Sequence, residues 1–80
     1  MNNSNTLFHL KEALEQLQQT ITTLETGSLD DINFQIEMEH LYHHINTAWN
    51  SRHATEQETN ESNKENFRNW QKFPIDLEFE

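Results

Sequence analysis

LFHLKEALEQLQQTITTLETGSLDDINFQIEMEHLYHHINTAWN, residues 7–50, holds two apolar ladders separated by the only glycine in the chain. Leu7, Leu10, Leu14, Leu17, Ile21 and Leu24 recur at steps of three and four residues, and Phe34, Met38, Leu41, Ile45 and Ala48 do the same. That mean period of 3.5 residues marks helices that pack lengthwise against other helices. Thr26-Gly27-Ser28 lies between them and supplies a short turn, with Gly27 placed to end the first helix in a left-handed conformation. Two such helices joined by a short turn form an antiparallel hairpin whose ladders are expected to meet.

Outward from the ladders, the flanks give the limits of the hairpin. Residues 1–5 are polar and expected to be disordered, with Ser4 or Thr6 as the first cap. The hairpin is expected over residues 6–58, with its turn at 26–28. Ser28-Leu29-Asp30-Asp31 reads as a capping box with Asp in place of Glu, which starts the second helix near Leu29. Residues 59–66 continue a polar stretch that is either a linker or an extension of that helix. Residues 67–80 form a docking tail. There Phe67, Trp70 and Phe73 make an aromatic face, Lys64, Arg68 and Lys72 a basic stripe beside it, and Pro74 a stop. Ile75 to Glu80 alternates strictly between apolar and acidic residues, the pattern of an extended strip.

Composition limits what such a hairpin can do alone. Leu, Ile and Phe number 18 of 80 residues and Val is absent, so strong core formers are scarce. Cysteine is absent as well, which removes disulfides and thiolate metal sites as staples. Self-association is the remaining remedy for a small core. The predicted architecture is therefore all-α: a helical hairpin, a short aromatic helix and an extended tail, dimerising as a four-helix arrangement. Ile32 and Ile36 fall off the main seam, as does Tyr42 on its other side. Together with Trp49, Phe67, Trp70 and Phe73 they are the candidate interaction residues.

The formal charge is −9, and Lys11 is the only Lys or Arg before Arg52. Phosphate backbones and anionic membrane surfaces are poor partners for such a chain, so neither nucleic acid nor membrane binding is expected. A protein partner with a basic surface is electrostatically allowed. No apolar run approaches the length of a membrane span and the first residues lack the pattern of a secretion signal, so the expected location is cytoplasmic.

The sharpest chemical cluster is Glu37-Met38-Glu39-His40-Leu41-Tyr42-His43-His44. His40 and His44 are one helical turn apart, and Glu37 stands one turn before His40. This Glu-x-x-His spacing suits zinc or iron in helical bundles, which makes Glu37, His40 and His44 the candidate metal ligands. Five histidines also bring groups that titrate near neutrality. Catalytic patterns are missing: one glycine cannot build a phosphate loop, and Ser4, Ser28, Ser51 and Ser62 have no convincing His–Asp partnership. The leading expectation is a small, acidic, non-enzymatic interaction or regulatory module without a cofactor. The alternatives are a metal-binding bundle holding Zn or Fe, and an acidic inhibitor of a basic partner.

Overall fold

The computed structural model describes residues 1–61 and 63–79. Ser62, within the polar stretch, and Glu80, which closes the alternating strip, lie outside the described residues. All regular structure among the described residues is helical: α1 (Asn3–Glu25), α2 (Asp31–Asn50), α3 (Glu56–Asn60) and α4 (Lys64–Trp70). The two long helices pack against each other, and α4 packs on α2.

The ends of α1 differ in how they are held. Asn2, not Ser4 or Thr6, is its N-cap and accepts from the Asn5 N–H. The Asn2 N–H in turn donates to the Arg52 carbonyl at 2.6 Å, and the Asn2 amide to the Ala54 carbonyl at 3.1 Å. The expected disordered N-terminus is therefore helical from Asn3, tied to the chain that follows α2. At the other end, Gly27 sits at φ 71°. Its N–H donates to the Leu24 carbonyl and the Ser28 N–H to the Thr23 carbonyl, the paired bonds of a Schellman motif. Space around Gly27 is open, so Gly27→Ala meets only the backbone cost of a left-handed L-residue. We expect it to lower unfolding free energy by about 1 kcal/mol in urea titration.

Asp30 caps α2 and accepts from the Asn33 N–H at 2.8 Å, so the helix starts at Asp31 and the Ser28 capping box is not formed. At Ser51 the helix stops instead of continuing to residue 58. The Ser51 hydroxyl donates to the Thr47 carbonyl and accepts from the Asn5 amide, which pins the turn against α1. The chain restarts at α3 under a true capping box between Thr55 and Glu58.

The leucine ladder of α1 is not the seam of the hairpin. The residues of α1 that face α2 are His9, Ala13, Gln16 and Thr20, and those of α2 that face α1 are Glu37, His40, Leu41, His44, Ala48 and Ser51. Ala13 and Ala48 are small enough to let the helices approach, and the polar groups between them satisfy one another. Four of the six ladder residues follow a seam residue by one position: Leu10 after His9, Leu14 after Ala13, Leu17 after Gln16, Ile21 after Thr20. One residue is a rotation of about 100°. The α1 ladder consequently remains 42–53% exposed.

On α2 the offset holds for Met38, which follows Glu37, and Ile45, which follows His44, whereas Leu41 and Ala48 of that ladder are buried in the seam itself. In antiparallel helices a step toward either C-terminus turns both to the same side of the pair. The α1 ladder and Phe34, Met38 and Ile45 of α2 thus form one apolar face, with Phe34 and Ile45 also more than a third exposed. A step backward leads to the opposite side, where His43, Asn46 and Asn50 receive the tail. Asn46 donates to the Gln71 carbonyl, and Asn50 to the carbonyls of Trp70 and Lys72.

Candidate functional site

The centre of the hairpin is a continuous chain of polar side chains. His9 Nδ1 lies 3.1 Å from His44 Nδ1, His44 Nε2 lies 3.2 Å from His40 Nε2, and His40 Nδ1 lies 2.5 Å from Gln16 Oε1. The Gln16 amide donates to Thr20 Oγ1 at 3.1 Å and to Glu37 Oε1 at 3.3 Å. Thr20 Oγ1 is also 3.0 Å from Glu37 Oε1. Gln16, Thr20 and His44 are buried.

Elementary hydrogen-bond chemistry gives this chain a direction. An ionised carboxylate only accepts, so the Gln16 NH2 must face Glu37 and its oxygen must face His40. His40 then carries its proton on Nδ1 and accepts at Nε2. His44 donates from Nε2 and accepts at Nδ1, and His9 donates from Nδ1. Every neutral ring therefore has one permitted tautomer. For His9 and His44 neutrality is favoured electrostatically too. Burial, followed by His44 and His43, pushes His9 down to about 4 against the pull of Glu12. Burial, followed by His43 and His40, lowers His44 against the same opposing pull.

The metal set read from the sequence is not brought together. His40 and His44 do adjoin through their Nε2 atoms, but the Glu37 carboxylate is turned to Gln16 and Thr20. Among the described residues no group of three His, Asp or Glu side chains is arranged to hold a metal ion. The reason is register: Glu37 faces α1 beside Thr20, and the imidazoles spend their nitrogens on each other. His9 joins the cluster from α1. Its place within the same 3-4 spacing, one residue before Leu10, was the only sequence signal that could have found it.

The interaction residues divide. Phe67 packs on the His43 ring at 4.9 Å between centroids, and Phe73 on Tyr42 at 5.1 Å. The Trp49 indole N–H donates to Asp76 at 3.0 Å, which holds that carboxyl below its ordinary range. The Arg52 guanidinium stacks 3.7 Å above the Trp49 ring. These contacts fasten the tail to α2, although Tyr42, Phe67 and Phe73 remain exposed. Ile32 and Ile36 stay exposed. An open cavity of about 430 Å³ lies where α4 meets the hairpin, between His9, His43, Thr47, Lys64, Phe67 and Trp70.

Comparison with protein-family models, with curated proteins and with solved structures finds no match to this chain. No described helix is long and apolar enough to cross a membrane.

Proposed function

We propose that the protein is a non-enzymatic interaction module that works by self-association, through the apolar face that the α1 ladder shares with Phe34, Met38 and Ile45 of α2. The observation that carries this reading is how little the single chain buries. Among the described residues the buried hydrophobic side chains are Ala13, Leu41 and Ala48. The chain exposes 6338 Å². A compact monomer of its mass would expose about 5,100 Å². The difference of roughly 1,200 Å² per chain exceeds the roughly 800 Å² that each partner of a standard interface buries.

A second copy fits the face better than a basic partner. Glu12 and Glu39 each precede a seam residue and so turn to the tail side. The residues that follow the ladder on α1 from Leu10 onward are mixed, Lys11, Glu15, Gln18, Thr22 and Glu25, and do not make a uniformly acidic border. Two apolar strips of helical-hairpin length, applied face to face about a two-fold axis, make a four-helix arrangement. Native mass spectrometry of untagged protein tests this. We expect twice the 9.6 kDa chain mass. A monomer at every concentration tried would refute it, and salt-sensitive capture of a basic protein by that monomer would favour the inhibitor reading.

A further inference from the structure

The histidine chain at the centre of the hairpin has a fixed capacity for protons, and counting them gives it a role. Two nitrogen–nitrogen gaps join His9 to His44 and His44 to His40. Each gap holds one hydrogen: none leaves two lone pairs opposed, and two oppose N–H to N–H. His40 Nδ1 must also be protonated, because it faces the Gln16 oxygen. These three hydrogens are the three that neutral rings supply. The one ring nitrogen left outside the chain of bonds is His9 Nε2, so the folded cluster accepts a single excess proton there. A second has no position that keeps both gaps bonded.

We propose that His9, His44 and His40 form a proton-operated latch on the α1–α2 hairpin, which holds with at most one excess proton and opens when a second arrives. The unfolded chain takes one excess proton on each ring, three in all, below the ordinary imidazole value of 6.5. Because His9 takes its proton only near 4 in the folded chain, folding excludes all three protons between 6.5 and about 4 and two below that, and stability rises with pH wherever the unfolded state binds more. The latch is fully closed above 6.5 and loosens as pH falls below it, over a window reaching to about 4, where His9 titrates. The groups facing the cluster are known from every side. Glu12 of α1 pulls toward protonation, while His43 of α2 opposes it. Glu37 sets the direction of the chain through Gln16. Glu61 and Lys64, which line the cavity with His9, bring charges of opposite sign. His9 reaches solvent through that cavity, the entry for the first proton.

Release of the hairpin would also separate the two ladders, so acid would dismantle the face assigned to self-association. That consequence rests on the reading above, whereas the proton count does not.

The test is urea unfolding of the full chain at fixed concentration from pH 7.5 to 5, with native mass recorded at each pH. We expect the folded-to-unfolded ratio to fall by up to about a thousandfold per pH unit between 6.5 and 5, the signature of three excluded protons. His40→Gln replaces Nε2 with an amide oxygen that accepts from His44, which leaves two excluded protons and a slope of up to about a hundredfold. His53→Gln, at an exposed histidine outside the cluster, should keep the wild-type slope. Equal slopes for wild type and His40→Gln would overturn the proposal. A second readout needs no variant. Nitrogen-15 NMR at neutral pH should show His40 and His9 protonated on Nδ1 and His44 on Nε2. Any other set of tautomers would also overturn it. A monomeric mass with the expected slopes would refute self-association alone.

Discussion

Replacing Leu17 and Ile21 together by glutamate is expected to turn the assembly into monomers while leaving α1 helical. Both side chains are half exposed in the single chain, at 42% and 47%. Within one hairpin they support little, and a surface change of this kind costs within about 0.5 kcal/mol. Glutamate is about as good a helix former as leucine. In a two-fold dimer the same substitution removes four side chains from the interface. If each gives up about 1 kcal/mol of remaining burial, the loss is roughly 4 kcal/mol, or about a thousandfold in dissociation constant. Like charges set opposite one another add to this. Sedimentation and native mass should both report the change, with circular dichroism at high concentration showing retained helix. If the variant keeps the wild-type mass, the ladder face is not the interface.

The ladders were the most legible feature of the sequence, and they led to the right class of fold. Two long helices, a glycine turn and a tail returning to α2 follow from period, Gly27 and the Phe67/Trp70 spacing. What the period could not say is which side of each helix faces the other. A 3-4 ladder announces an apolar stripe, and the natural inference is that two stripes meet. Here the stripe next to it, His9-Ala13-Gln16-Thr20, is the one that packs. Its small residues allow close approach, and its polar residues find partners only across the gap. Such complementarity is a property of pairs of residues far apart in sequence, such as Gln16 with His40 or Thr20 with Glu37. Helical spacing along one segment does not contain it. Similarly, Glu37, His40 and His44 were legible as a cluster. The register that sends Glu37 to Thr20 and brings in His9 was not.

Gln16→Leu decides between these two views of the hairpin. Were the seam apolar, a leucine at a buried position would extend it and raise stability. In the observed seam Gln16 is the node joining the histidine chain to the carboxylate. Its loss leaves His40 Nδ1–H without an acceptor, and Glu37 without one of its donors beside an apolar side chain. Thr20 Oγ1 loses a donor as well. Groups buried without partners cost about 1–3 kcal/mol each, more when charged, although partial exposure of Glu37 and His40 lets water recover some of this. We expect a net loss of about 2–4 kcal/mol, read as a lower urea midpoint with unchanged slope. Gln19→Leu, at an exposed position on the same helix away from the ladder, should move the midpoint little. The pair of variants therefore differs in one respect only, whether the glutamine faces α2. A stabilised Gln16→Leu protein would mean that the hairpin closes on its leucines after all. A destabilised one would leave the leucines free for a second copy, because a chain that spends its polar residues on its own seam has its apolar face left to offer.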